Sequence, residues 1–242
     1  DLFAQGYFNR EGNIYNNPGV PQGLSATGGV ISDYSTGPAI YRAHIFTSSG
    51  TFDVTATGDY GDTVEYLVVA GGGSGGGASS SGGGRGGGGA GGLRTSLSGH
   101  PLAGSVFSVP TTGGNGSGSY TVTIGGGAAK TNNTAGNKGA DSYFGPPSTP
   151  NGITATGGGA GGYGPEFSPA TENDGGSGGG NYSSGTPNIG LGNTPPTSPP
   201  QGNNSGEGSG NTASGGGGAG AVGSDAPPNA GGAGGAGVQV LI

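Results

Sequence analysis

Two histidines, thirteen acidic side chains and no cysteine are the whole of the metal- and proton-handling chemistry in this chain. His44 falls in a β-type run and His100 in the turn Gly99-His100-Pro101. Neither has the His-x-x-x-His or Cys spacing of a transition-metal site, so both read as structural or surface residues. Asp59, Asp62 and Glu65 gather near one loop and Glu172-Asn173-Asp174 in another. Neither group fits an EF-hand or the Gly-Gly-x-Gly-x-Asp calcium repeat, and both read as solvated loops. The Gly-x-Gly-x-x-Gly matches inside Gly82–Gly92 are those of any polyglycine block, with no Lys-Ser/Thr behind them to complete a phosphate loop. Ser74 and Ser177 sit between glycines, away from any strand-to-helix elbow. The sparse loop carboxylates do not make the paired acids of a glycosidase. The chain therefore reads as a non-enzyme with no metal and no cofactor. Tyr163, Phe167 and Tyr182 stand out instead, because they lie between glycine runs and away from the strand islands. Exposed aromatics are common binding anchors, so these three are receptor-binding candidates. The competing reading is that they cap the ends of a glycine bundle against water.

The elements that must hold these residues are few. Of 242 residues, 67 are Gly and 17 Pro, against roughly 7% Gly in an average protein. Residues 1–24 mix aromatics with Asn, Gly and Pro and read as an extended arm or connector. The start at Asp1-Leu2-Phe3, without an initiator methionine, fits a processed product or a fragment. Residues 25–70 read as a β-hairpin and sandwich segment. Within it, Ile40–Thr47 and Thr51–Thr55 flank the turn Ser48-Ser49-Gly50, with Phe52 and Val54 on one face. Val64–Ala70 is almost continuously apolar, which predicts a strand buried on both faces. Residues 71–242 read as a glycine-rich region with strands interspersed at 105–124, 153–156 and 238–242, the last closing on the base. No helix of any length is predicted.

Collagen is excluded because the glycines come in blocks rather than at every third position. An ice-binding bundle would need the same strict threefold sequence repeat. Strands run straight into glycine at Ala70–Gly71, Ile124–Gly125 and Thr156–Gly157. A flexible linker is one reading of such runs. The positional pattern favours another, in which they pack side by side as extended threefold polyglycine helices. Such chains make no internal hydrogen bonds and can bond only to neighbours, and only Gly allows their close approach. The expected fold class is thus all-β, with a small β-sandwich-like base, polyglycine II helices packed side by side, and essentially no α-helix. The net charge of −7 leaves no basic stripe for nucleic acid or anionic lipid, and no run reaches the length of a membrane span.

Tyr41–Val54, Val64–Gly73, Gly91–Thr95, Ile153–Gly159 and Gly192–Asn203, taken in order, resemble glycine-rich domains of phage virion and tail-fibre proteins. Members from marine cyanophages are the most similar. A more distant likeness is to phage adhesins with stacked polyglycine helices. The resemblance covers roughly 26–242. It implies a virion surface protein, a tail fibre or adhesin for host attachment, located on the extracellular particle. The partners it implies are other virion structural proteins and a host receptor, either a glycan or an outer-membrane protein, with a homotrimer as the expected assembly. A capsid or tail decoration protein without receptor binding is the alternative. Members often end in an apolar strand followed by Arg-Tyr; here Val238–Ile242 lacks that dipeptide.

Overall fold

Alternation and β-branching decide where strands form, and glycine decides where they stop. The computed structural model describes residues 22–36, 39–77, 84–112, 118–132, 134–145, 152–163, 170–182 and 189–241. Strands β1 (Ser25–Thr27), β2 (Val30–Thr36), β3 (Ala39–Ile45) and β4 (Gly50–Ala56) come first. They are followed by β5 (Thr63–Val64), β6 (Leu67–Val69), β7 (Leu93–Thr95) and β8 (Phe107–Ser108). The last are β9 (Ser119–Thr123), β10 (Ser142–Phe144) and β11 (Ile153–Ala155), before one helical turn, α1 (Ala170–Asn173). The fold is essentially all-β. A five-stranded antiparallel sheet runs β1-β4-β9-β10-β11, and the pairs β2-β3, β5-β8 and β6-β7 form small open sheets beside it.

The core lies in this strand end. Phe52 and Val54 of β4 face inward together, as their spacing predicts, and join Tyr66, Phe107, Val109, Tyr120 and Val122. Phe144 tilts its ring edge against three of these aromatics, 5.7 Å from Phe52, 5.1 Å from Phe107 and 5.9 Å from Tyr120. Such offset contacts add to the area that the rings bury.

Four expectations change. β3 does not pair with β4; it pairs along its whole length with β2, Val30 opposite Ile45 through Thr36 opposite Ala39. β4 lies instead between β1 and β9. A seven-residue ladder outcompetes the short Ser48-Ser49-Gly50 hairpin, and Phe52 and Val54 reach the core only from a central strand. The apolar run Val64–Ala70 is split by Glu65-Tyr66 into β5 and β6, and Leu67 and Val69 are 36% and 50% exposed. Its second face stays open because the glycine runs beside it carry no side chains to cover it. β7 at Leu93–Thr95 is an additional strand that pairs with β6. Residues 238–241 form no strand. The run before them is held by Gly232 and Gly235, which donate to Ala213 and Gly216 (both 2.9 Å), and it delivers Val238 to the side of the glycine region rather than to a sheet edge.

From Ala70 onward the backbone bonds sideways with a period of three. Ala70, Gly73 and Gly76 donate to the carbonyls of Gly92, Gly89 and Gly86 at 3.0, 2.9 and 3.1 Å. Gly71, Ser74 and Gly77 donate to Ala140, Asn137 and Thr134 at 3.0, 3.0 and 2.9 Å. Gly86, Gly89 and Gly92 donate to Gly162, Gly159 and Thr156 at 3.1, 2.9 and 2.8 Å. Partner numbers fall in these antiparallel pairs and rise in parallel ones, as where Gly158 and Gly161 donate to Gly71 and Ser74, both at 2.9 Å. A chain that returns to the same neighbour every third residue turns three residues per revolution, the hydrogen-bonding pattern of an extended threefold chain.

The interior of this bundle is backbone rather than side chain. A Cβ on Gly86 would fall on the carbonyl of Gly180, and one on Gly91 on that of Ala70. The side chains it admits are small or make hydrogen bonds: Ala160, Ser177, Asn181, Ser205 and Ser214 are all buried. Asn181 and Gly190 donate their N–H groups to the hydroxyls of Ser214 (2.8 Å) and Ser205 (2.9 Å).

Candidate functional site

The hydrogen-bond register sorts the bundle into two ends. Ala70, Gly92, Thr156 and Gln201 lie together at the strand end, through bonds Ala70→Gly92, Gly92→Thr156 and Thr156→Gln201 Oε1. Gly77 and Thr134, Gly84 and Asn211, Arg85 and Tyr163, and Tyr182 and Ala213 pair at the other. Runs are joined at both ends. The proline-rich turn before Gln201 and the turn at 218–221 lie at the strand end. The turns at 208–212 and 227–230 lie at the end remote from the hydrophobic core.

Tyr163 and Tyr182 both reach this end, on either side of the 84–85 segment. Arg85 and Tyr163 form a β-bridge, and the guanidinium carbon stands 4.6 Å from the ring centroid. Arg85 also donates Nε to the Gly77 carbonyl (2.7 Å) and Nη1 to that of Gly84 (2.8 Å), which clamps the ends of two runs. Tyr182 bridges Ala213, donates its hydroxyl to Asn211 Oδ1 (2.9 Å), and lays its ring where a Cβ on Gly84 would stand 2.9 Å away. Both tyrosines are half-buried, with one part fixed and one part in solvent. Phe167 lies outside the described residues. Arg85 and Asn211 escaped sequence reasoning, although Arg85 is the one charged residue in Gly82–Gly92 and that isolation was a usable signal.

The remaining chemistry is dispersed. His44 donates Nδ1–H to the Gly28 carbonyl (2.7 Å) and sets its ring edge against Phe52 at 5.0 Å. His100 Nδ1 accepts from the Leu102 N–H (3.1 Å). Asp59 accepts from Gln22 (2.7 Å), Asp62 from Ser108 (3.0 Å) and Glu65 from Ser98 (2.8 Å), three separate structural bonds rather than one cluster. Among the described residues no group of three or more His, Cys, Asp and Glu side chains converges. The glycine block at 84–92 is an extended run bonded to its neighbours at Gly86, Gly87, Gly89, Ala90 and Gly92, not the strand-to-helix turn of a phosphate loop.

A family model described as a glycine-rich domain matches residues 47–241. The chain belongs to the glycine-rich domain family. No curated protein and no solved structure matches it. The glycine-rich domain begins just before β4 and includes the bundle, the central sheet from β4 on, and all the far-end residues described above. It leaves β1, β2 and β3 as a preceding addition, which reaches the domain through the β1–β4 ladder and His44. Among the described residues no helix of the glycine-rich domain is long and apolar enough to cross a membrane.

Proposed function

We propose that this glycine-rich domain is a non-enzymatic attachment module on the surface of a bacteriophage virion, of the tail-fibre or adhesin kind. One observation carries the attachment reading: Arg85, Tyr163 and Tyr182 are brought together at the end of a laterally bonded bundle opposite the β-base. Tyr163, Tyr182 and Arg85 are fixed there by named bonds. Aromatic and arginine side chains are the residues that most often anchor recognition. A scaffold held by backbone bonds presents them at low ordering cost. The phage assignment rests on the ordered motifs Tyr41–Val54 and Val64–Gly73. The test is to image labelled antibody against this chain on intact particles and to measure binding of the purified chain to host cells. Tip-located label with saturable binding supports the reading; an interior location without cell binding defeats it.

One observation favours the decoration reading. The β2–β3 hairpin makes an apolar face of Val30, Ile45 and the stacked Tyr34–Tyr41 pair (ring centroids 5.4 Å apart), and Val30 is 67% exposed. Exposed apolar faces of this sort commonly meet another protein. A copy number that follows capsid symmetry would support that reading over attachment.

A further inference from the structure

A groove of about 490 Å³ runs along one side of the bundle, and its walls repeat the chemistry of the occupied positions. It lies between the 84–92 run and the 231–237 run, with the 213–218 run as its floor. In the 84–92 run, Gly86, Gly89 and Gly92 donate to one neighbour, and Gly87 and Ala90 donate to another, at Ser214 and Gly217. The third class, Gly88 and Gly91, makes no hydrogen bond within the described chain, and both residues line the groove.

The other two walls follow the same rule. On the floor, Ser214 and Gly217 donate to Asn181 and Gly178, and Gly215 and Gly218 donate to Ser224 and Ala221. Gly216 is the remaining class; it is buried, lines the groove, and its N–H has no partner among the described residues. Orphaned buried N–H groups are rare in native proteins. On the far wall, Gly232 and Gly235 donate to the floor, and Ala233 and Ala236 accept from Ser224 and Gly220. Gly234 and Gly237 are left with no bond among the described residues, and they too line the groove.

We propose that this groove is an open position of the threefold lattice and takes one extended glycine-rich strand from another chain. The unpartnered groups recur at three residues, the step of an extended threefold helix rising about 3.1 Å per residue. The occupant must accept from Gly216 and donate to carbonyls on the walls, so a proline-rich segment, which has no N–H, is unsuited. It must also approach backbone closely, and only a residue without Cβ does so. Val69, Leu93 and Val238 line the strand end of the groove, so the occupant carries an aliphatic residue beside its glycine run. This is backbone augmentation, as when a peptide joins a sheet edge, transferred to a polyglycine lattice.

The test uses the full chain labelled with ¹⁵N and the soluble peptide Lys-Val followed by six glycines and a terminal Lys. Saturable shifts and slowed amide exchange centred on Gly88, Gly91 and Gly216 are expected. Gly234→Val abolishes them; its Cβ would meet only the Gly216 carbonyl oxygen at 3.9 Å, an ordinary contact that leaves the fold intact. Gly126→Val, where a Cβ meets nothing within 4 Å, keeps them. A peptide with alanine in place of glycine binds at least about tenfold more weakly. Absence of saturable shifts at millimolar peptide overturns the proposal. So does equal binding of the alanine peptide, or binding that survives Gly234→Val.

Discussion

Gln201 and Thr156 are bonded to each other twice at the foot of the glycine bundle. Gln201 Oε1 accepts the Thr156 N–H (2.8 Å), and its Nε2 donates to Thr156 Oγ1 (3.2 Å) and to the Pro195 carbonyl (3.0 Å). The side chain is wholly buried and lies against Gly92, where a Cβ would strike it. It thus fills the junction at which β11, the 84–92 run and the proline-rich turn meet.

Removing it leaves the buried Thr156 N–H unpaired and opens a void. Gln201→Ala is expected to cost on the order of 2–3 kcal/mol. Urea unfolding of the variant checks this, and an unchanged midpoint would contradict it.

The second prediction separates glycines by what surrounds them. Gly86→Ala forces a methyl into the Gly180 carbonyl, in backbone that cannot yield without breaking the lateral bonds. It is expected to unfold the bundle or lower its melting temperature by more than about 10 °C. Gly126→Ala meets nothing within 4 Å and should be neutral or stabilising by about 0.5 kcal/mol, because the unfolded chain loses freedom. Thermal melts of the two variants side by side give the contrast.

Amide exchange should carry the threefold period. Gly86, Gly87, Gly89, Ala90 and Gly92 donate and are expected to be protected, while Gly88 and Gly91 between them exchange fast. Residue-resolved exchange by NMR reads this directly; uniform fast exchange would mean the lateral bonds do not persist in solution.

At high pH the strand end should fail. Burial pushes the phenols of Tyr66 and Tyr120 above their ordinary value, opposed at Tyr66 by the neighbouring Arg94 guanidinium. A phenol harder to ionise when folded stabilises fully below its unfolded pKa of about 10, and that stability is lost as pH rises through the folded value. Tyr120→Phe removes its share of the alkaline fall. It costs about 1 kcal/mol at neutral pH through the lost bond to the Pro110 carbonyl. Denaturant melts at pH 7 and above pH 10 distinguish the two effects.

The tip residues should affect binding more than folding. Tyr163→Ala forfeits its contact with Arg85, worth about 0.5–1 kcal/mol at a partly exposed site. Yet it should weaken cell binding at least about tenfold under the attachment reading. Cell-binding isotherms of this variant and of Tyr182→Ala, set beside their melting curves, check it.

What was legible in the sequence was local. The alternation of Phe52 and Val54 set the inward face of β4, and the abrupt passage from Val69-Ala70 to Gly71 marked where a strand becomes a lateral run. Pairing was not legible, because the choice of β2 over β4 as partner of β3 is decided by the length of the ladder and by the core. The strand expected at 238–242 failed for the same reason: its residues have β propensity, but the preceding run places 238–241 beside the glycine region rather than at a sheet edge. Arg85 could have been singled out by its isolation among glycines. Asn211 could not, since register alone brings it beside Gly84 and Tyr182.

Parallel and antiparallel neighbours coexist in the bundle, as 71–74 with 158–161 and 70–76 with 86–92 show. A coiled coil discriminates between chain directions through its side chains, whereas here there are almost none to consult. The bundle can therefore lengthen its sequence by an out-and-back pair of runs wherever two rows of unused amides and carbonyls face outward. A pair that leaves from the strand end would turn at the aromatic end. Presentation and scaffolding thus fall to different atoms: a turn side chain can change without touching the main-chain bonds that hold the runs together.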